Sequence, residues 1–157
     1  MRIIALQGKH ETGKSTTLRA LIKLLHKPES RFAFEYMYPE EDVLKLCQEN
    51  RDLQYWFSLD GIKIGITTRG DARRYLHTDF YTKRRRNFSD RDIVVCAIRT
   101  YGGTVEFVNE HAINGLEIVQ KDIVPDKEDK AHQEEKNNEQ ATYLYDKLKE
   151  YCKNEVE

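Results

Sequence analysis

One segment near the amino terminus has residue types and a spacing suited to binding phosphate groups. Residues 8–15 read G-K-H-E-T-G-K-S and fit the pattern G-x-x-x-x-G-K-[ST]. The two glycines let the backbone bend so that successive N–H groups converge on phosphate oxygens. Lys14 brings a positive charge to the β and γ phosphates, the Ser15 hydroxyl is a magnesium ligand, and Thr16 adds a hydroxyl toward the α-phosphate. The predicted nucleotide-binding residues are Gly8, Lys9, His10, Glu11, Thr12, Gly13, Lys14, Ser15 and Thr16.

A phosphate loop needs a strand before it and a helix after it, and the flanking sequence predicts both. The apolar run at residues 2–7 is typical of a buried strand. Pro28 closes a segment whose apolar residues recur with helical spacing, at Leu18, Leu21, Ile22 and Leu25. A helix that begins at Lys14 adds its unpaired N–H groups and the positive end of its dipole. We therefore favour a nucleotide site over a simple glycine turn between two elements.

Residues 8–15 resemble the Walker A motif of the P-loop NTPase superfamily, and the alternation of strands and helices resembles that superfamily more loosely. The resemblance implies a three-layer αβα fold that binds a nucleoside triphosphate with Mg²⁺. The N-K-x-D sequence that reads guanine in GTPases is absent, so ATP is the expected nucleotide. The size of the chain favours a small kinase-like member, because the extra domains of motor ATPases do not fit.

Proteins with this motif usually hold magnesium with a second, acidic residue at the end of a neighbouring strand. The strand predicted at residues 93–98 is followed by Arg99 instead of an acid. Asp71, which follows the strand predicted at residues 62–67, is the better magnesium ligand. The equally weighted alternative is that Asp71 caps the next helix. Weaker magnesium candidates are Asp60 and Glu35.

Two arginines that follow predicted strands are candidates for stabilising the transition state of phosphoryl transfer. In parallel α/β sheets, ligands bind beyond the carboxyl ends of the strands, where Arg69 and Arg99 are expected to lie. Either guanidinium could neutralise charge on the γ-phosphate or bind the acceptor. A structural ion pair is the alternative for each.

The segment from Arg69 to Arg91 is strongly basic, with eight Lys and Arg residues against three Asp. We expect a lid or an acceptor-phosphate site here, with an arginine among residues 84–86 as a further transition-state candidate. The alternatives are a site for a nucleic-acid backbone and a solvated helix that complements the acidic segment 126–157.

Two further features of the sequence have competing interpretations. Lys9 lies five residues before Lys14, a spacing that resembles the signature lysine of the deviant Walker ATPases, which work as dimers. In that group glycines follow the lysine, so we favour an exposed loop lysine here. Residues 102–104, Gly-Gly-Thr before a predicted helix, are a second candidate anion pocket, although loop closure is the commoner reason for paired glycines.

Strands are predicted to alternate with helices along the chain, and Asp60-Gly61 between two apolar runs predicts a hairpin. This pattern indicates an α/β fold with a mostly parallel sheet, one antiparallel hairpin strand and helices on both faces. Predicted strands cover residues 2–7, 32–38, 55–58, 62–67, 93–98 and 116–124. Predicted helices begin at Lys14, Pro39, Ala72 and just after Thr104. Residues 1–157 form a single domain in this reading, with 126–140 a solvated helix extension or a loose linker and 141–157 a C-terminal helix.

Composition restricts the classes of protein further. The 157 residues, 39% hydrophobic with a net charge of −1, suit one ordered domain with its own core. The longest apolar run, residues 93–98, is far shorter than a membrane span. Three widely separated cysteines suit neither a disulfide framework nor a zinc site, and they favour a reduced cytoplasm.

The leading hypothesis is an ATP-dependent phosphotransferase or ATP hydrolase. In this hypothesis Lys14 neutralises phosphate charge, Ser15 holds magnesium with Asp71 as the candidate second ligand, and an arginine from 69, 84–86 or 99 stabilises the transition state. The alternatives are a nucleotide-dependent switch and a nucleic-acid-associated ATPase. Acceptor pockets are built from dispersed loop residues, so the acceptor and the oligomeric state stay open at this point.

Overall fold

A computed structural model of the chain describes residues 1–83 and 86–156. Its strands are β1 (Arg2–Gln7), β2 (Ala33–Tyr38), β3 (Gln54–Leu59), β4 (Ile62–Thr67), β5 (Ile93–Ile98) and β6 (Leu116–Gln120). They form a six-stranded sheet in the order β2-β3-β4-β5-β1-β6. The ladders β4–β5, β5–β1 and β1–β6 are parallel, and β3 pairs antiparallel with both β2 and β4. The prediction of an α/β fold with a mostly parallel sheet and one antiparallel hairpin strand is confirmed.

Helices pack on both faces of this sheet. They are α1 (Lys14–His26), α2 (Val43–Gln48), α3 (Arg73–Tyr81), α4 (Gly103–His111) and α5 (Lys130–Val156). Ile4 of β1 belongs to a core shared with α1, α2 and α5, whereas its neighbour Ile3 belongs to a core shared with α3 and α4. Successive side chains of a strand point to opposite faces, so the two cores lie on the two sides of the sheet.

The carboxyl ends of the parallel strands β1, β4 and β5 lie at one edge of the sheet. The loops that follow them span residues 8–13, 68–72 and 99–102. These are the loops that contain the predicted phosphate loop, Arg69 with Asp71, and Arg99. The topology therefore places all of these candidates at a common edge, the usual position for ligands in such sheets.

The helix predicted to begin at Pro39 begins instead at Val43. Asp42 is its N-cap, because the carboxylate of Asp42 accepts hydrogen bonds from the N–H groups of Leu44 at 2.8 Å and Lys45 at 3.1 Å. A carboxylate that satisfies two unpaired N–H groups fixes the start of the helix. Pro39 belongs to the turn before it.

The starts of two other helices also differ from the prediction. Ala72 occupies the N-cap of α3, where no side chain makes a capping hydrogen bond, so Asp71 does not cap this helix. Gly102 occupies the N-cap of α4, and the hydroxyl of Thr104 instead accepts a hydrogen bond from the N–H of Arg99 at 3.0 Å.

The ends of the last strand and the last helix differ from the prediction. Strand β6 ends at Gln120 rather than at residue 124. Helix α5 begins at Lys130, so the polar stretch is a helix extension from that residue onward. The second half of α5 buries four apolar residues in the core it shares with α1: Ala141, Leu144, Leu148 and Cys152. Within the described ranges, no helix combines the length and apolar character needed to cross a membrane.

Candidate nucleotide-binding site

The loop of residues 8–13 leaves β1 and leads directly into α1, as predicted. The N–H of Gly8 donates to the carbonyl of Ile98 at 3.2 Å, which ties the start of the loop to β5. A Cβ on Gly8 would lie 2.7 Å from Thr12 Oγ1, closer than real Cβ atoms approach. Gly13 has a φ of 86°, in the left-handed region that favours glycine. Gly13 therefore has a backbone conformation that favours glycine, and a side chain at residue 8 would crowd Thr12.

The ammonium group of Lys14 lies inside this loop, and the residue is only 6% exposed. Its Nζ donates to the carbonyls of Gly8 at 2.8 Å and Lys9 at 2.6 Å. An ammonium has three protons, so one of them remains for a ligand. Burial lowers the pKa of Lys14, the negative charge of Asp71 opposes this, and the positive charge of Arg99 lowers the pKa further. An anion bound beside Lys14 would stabilise its charged form.

The first turn of α1 offers main-chain N–H groups to a ligand. The first N–H groups of any helix lack partners within the helix, and no side chain caps α1. The hydrogen bond from the N–H of Thr17 to the carbonyl of Gly13, 2.9 Å long, belongs to the first turn. Thr16 is exposed beside it. An uncapped helix start, with the positive end of the dipole, is suited to bind an anion.

Ser15 connects α1 to the end of β4. Its hydroxyl donates to the main-chain carbonyl of Thr68 at 2.9 Å. Thr68 is buried, and its own hydroxyl accepts a hydrogen bond from the N–H of Leu53 at 2.9 Å. The predicted magnesium ligand is thus held against the loop that carries the second predicted ligand, Asp71.

Asp71 lies close to the phosphate loop, at its exposed side. Its Oδ1 is 3.8 Å from Nδ1 of His10, and its charge acts on Lys14. Asp71 is 58% exposed and His10 is 60% exposed, so both are accessible to a ligand. The Nε2 of His10 also lies 3.6 Å from a carboxylate oxygen of Glu11. The structure therefore places Asp71 beside the loop of residues 8–13, and Asp71 does not cap α3.

The residues present fit a magnesium ion that arrives with a triphosphate. The Ser15 hydroxyl and the Asp71 carboxylate are oxygen donors, which Mg²⁺ prefers. The described ranges contain no group of three or more His, Cys, Asp and Glu side chains arranged to hold a metal. Magnesium usually keeps several waters and takes one or two protein ligands together with substrate phosphates. Ser15 and Asp71 suit that arrangement better than a metal site built by protein alone.

Arg69 forms the structural ion pair that was the alternative for it. Asp79, which is fully buried, binds the Arg69 guanidinium through both carboxylate oxygens, with 3.3 Å between Nε and Oδ2. The hydroxyl of Thr67 also donates to Asp79, at 2.6 Å. The Arg69 side chain is 25% exposed, so Asp79 fixes a guanidinium that still reaches the surface.

Arg99 lies beside the phosphate loop. Its carbonyl accepts a hydrogen bond from the side-chain amide of Gln7 at 3.2 Å, and its charge lowers the pKa of Lys14. Its Nε is buried, with no hydrogen-bond partner anywhere in residues 1–83 and 86–156. Two cations close together repel each other, and a bound anion would turn that repulsion into attraction. Arg99 is the better placed of the two predicted transition-state arginines.

In the basic segment of residues 69–91, four of the six basic residues that the structure describes form ion pairs with acids of the same chain. Arg84 and Arg85 lie outside the described residues. The side chain of Arg91 is only 2% exposed. Ion pairs 2.6–3.0 Å long join Arg73 to Glu110, Arg86 to Glu35, Arg91 to Glu35 and Arg91 to Asp90. Binding to a nucleic-acid backbone depends on accessible cations, and among the described residues these pairs reduce the free positive charge of the segment.

Two residues that the sequence analysis missed contact the phosphate loop. Lys121 follows β6, its N–H donates to the carbonyl of Gln7 at 2.8 Å, and burial lowers its pKa. Asn137 of α5 lies 3.1 Å from where a Cβ of Gly13 would be, and it accepts a hydrogen bond from the hydroxyl of Thr17 at 3.2 Å. A cation after the end of a strand was the available signal for Lys121. Nothing local in the sequence marks Asn137.

No family model matches this chain, and neither the curated proteins nor the solved structures contain a significant match to it.

Proposed function

We propose that the chain binds ATP with magnesium through residues 8–16 and transfers the terminal phosphoryl group to a small acceptor or to water. The observation that carries this proposal is the position of Lys14. Its ammonium is buried in a loop that has glycine at both ends, with two protons bound to loop carbonyls and a third that has no partner among the described residues. A P-loop NTPase-like, three-layer arrangement is part of the proposal, and the helices on both faces of the sheet support it.

The roles of the other residues follow from their surroundings. The N–H groups of the first turn of α1 bind phosphate oxygens, since no side chain competes for them. Arg99 stabilises the negative charge that develops on the transferred group, because it already lies near Lys14. Arg69, held by Asp79, is positioned to bind the acceptor instead.

Magnesium, when bound with the triphosphate, supplies positive charge to the phosphate oxygens. Ser15 would hold it through its hydroxyl oxygen, while the hydroxyl proton stays hydrogen-bonded to the carbonyl of Thr68. Asp71, which lies 3.8 Å from His10 of the loop, would hold it directly or through water.

A nucleotide-dependent switch is the second candidate function. The contact of Asn137 with the loop favours it, because this contact couples the long helix α5 to the site. In a switch, ATP changes the contacts of α5 and turnover does not depend on an acceptor.

The deciding experiment combines a binding measurement with a turnover measurement. Calorimetry with ATP and with GTP, each with and without magnesium, tests the site, and Lys14→Ala should abolish binding. The matched control is Lys23→Ala, which removes an exposed lysine from the same helix. ADP release across a panel of small acceptors, DNA and RNA then tests the reaction. Failure of the folded chain to bind any purine triphosphate would overturn the proposal.

A further inference from the structure

Gln54 is a buried amide without a hydrogen-bond partner. The residue is 2% exposed, and neither its Oε1 nor its Nε2 has a partner in the part of the chain that the structure describes. Native proteins satisfy nearly all buried polar side-chain atoms, because leaving them unpaired costs stability. An amide with both of its ends unpaired is therefore an unusual feature that needs an explanation.

Gln54 lies at the same edge of the sheet as the phosphate loop. It is the first residue of β3, and it is paired with Tyr38 of β2 on one side and with Thr67 of β4 on the other. The residue before it, Leu53, donates its N–H to Thr68, whose carbonyl binds the Ser15 hydroxyl. Two consecutive hydrogen bonds thus connect the backbone next to Gln54 with the predicted magnesium ligand.

The face of the sheet that carries Gln54 also carries Arg69. Trp56, two residues further along β3, belongs to the core shared with α3 and α4, so Gln54 points to that same face. On this face the hydroxyl of Thr67 binds Asp79, and Asp79 binds the guanidinium of Arg69. The strand residue paired with the unpaired amide, Thr67, therefore shares Asp79 with the partly exposed cation of Arg69.

A side-chain amide presents one acceptor and one donor group next to each other. The complementary ligand has a neighbouring donor and acceptor on a planar edge, as nucleobases and carboxamides have. The cation at Arg69 favours a ligand that is also anionic. Gln54 is only 2% exposed, so a ligand reaches its amide only when neighbouring side chains move.

We propose that Gln54 binds the small anionic molecule that accepts the phosphoryl group. Its amide would recognise a planar edge of that molecule that carries a hydrogen-bond donor beside a hydrogen-bond acceptor. The role of this ligand as a phosphoryl acceptor rests on the proposed function, whereas the binding of a ligand by Gln54 does not depend on it. Trp56 is the only tryptophan of the chain and is fully buried on the same face, so its fluorescence reports on binding there.

The test titrates the full chain with matched pairs of probes and follows Trp56 fluorescence. AMP, GMP, CMP and UMP are compared with ribose 5-phosphate, which lacks the base, and N-acetylglutamine is compared with N-acetylglutamate. Gln54→Met removes the amide at nearly constant size, and Gln54→Glu keeps an acceptor but removes the donor. The matched control is Gln48→Met on exposed α2 surface.

We expect at least one base-bearing or amide-bearing probe to bind, and Gln54→Met to weaken it by at least tenfold. Gln48→Met and the binding of magnesium ATP should be unchanged, and the melting temperature of Gln54→Met should equal or exceed that of the wild type. Equal probe binding by Gln54→Met, no saturable binding of any probe, or a lower melting temperature would overturn the inference. If the wild type bound the probes through Gln54 but bound no ATP, the acceptor role would be overturned, and the proposed function would fail separately.

Discussion

The hydroxyl of Ser15 donates a 2.9 Å hydrogen bond to the carbonyl of Thr68. This bond joins the first turn of α1 to the loop after β4, and it gives the proposed magnesium ligand a defined position before any ligand binds. The oxygen of a serine hydroxyl can coordinate a metal ion while the hydroxyl proton stays in a hydrogen bond. Ser15 can therefore bind magnesium and the carbonyl of Thr68 at the same time.

Ser15→Ala should therefore weaken the binding of ATP more with magnesium than without it. We expect a loss of about tenfold in the magnesium-dependent affinity, equivalent to ~1.4 kcal/mol. Calorimetry with and without magnesium measures the two affinities. Ser89→Ala, which removes an exposed hydroxyl, is the control. An equal loss under both conditions would mean that Ser15 does not bind the metal.

The affinity for ATP should fall at alkaline pH because of Lys14. Burial lowers the pKa of Lys14 in the free chain, and the negative charge of bound phosphate should raise it again. Below the lowered pKa, the ammonium is charged in both states and the affinity is constant. Between the free and the bound pKa values, binding takes up a proton, so the affinity decreases as the pH rises.

Calorimetry in buffers of different ionisation enthalpy measures this proton uptake directly. Lys14→Arg keeps its charge over the whole range, so its affinity should not change with pH in that window. A wild-type affinity that stays constant at alkaline pH would contradict the burial of Lys14 beside the phosphates.

Asp79→Asn should destabilise the fold strongly. Asp79 is fully buried, and its carboxylate binds Arg69 and Thr67. Removing one partner of such an ion pair leaves the other charge uncompensated, at a cost of ~3 kcal/mol. Chemical denaturation measures the free energy of unfolding. Asp146→Asn, at an exposed pair with Lys149, should change it by less than about 0.5 kcal/mol. If both changes lowered the free energy of unfolding by similar amounts, the buried pair would stabilise the fold no more than the exposed pair does.

Gly70→Ala should damage both the fold and the site. A Cβ on Gly70 would lie 2.0 Å from the main-chain carbonyl oxygen of Ala97, so the backbone of β5 or of the Arg69–Asp71 loop would have to move. We expect a loss of more than about 2 kcal/mol in the free energy of unfolding and a weaker effect of magnesium on ATP binding. Gly61→Ala, where a Cβ meets nothing within 4 Å, should lose only about 1 kcal/mol through its positive φ. The two variants together separate a steric clash from the general cost of replacing glycine.

The parts of the fold that the sequence predicted best are those with local signals. The unbroken apolar run of residues 93–98 forms β5, buried at all of its positions. The Asp60-Gly61 pair forms the hairpin turn, with positive φ at both residues. The helical spacing after Lys14 forms α1, and residues 8–13 form the predicted loop between β1 and α1.

The parts that differ depend on contacts between distant residues or on competition between nearby ones. Pro39 fits a first helical turn, but Asp42 offers a carboxylate to two N–H groups and starts the helix at Val43. Arg69 was as good a candidate for catalysis as Arg99, because no neighbouring residue in the sequence indicates that the buried carboxylate of Asp79 binds the Arg69 guanidinium. Gln54 was not singled out at all, since an unpaired amide is recognised only when its surroundings are known.

Asn137 lies in the polar first half of α5, where it accepts a hydrogen bond from Thr17 and leaves little space for a side chain at Gly13. The phosphate loop therefore depends on a residue far along the chain, and a shortened version that stops before residue 137 would lack one side of the loop. Such a truncation would also remove the apolar residues of α5 from the core that supports α1. Carboxyl-terminal fusion tags and deletions within α5 are therefore expected to alter the conformation of the loop of residues 8–13 when they disturb the contacts of Asn137.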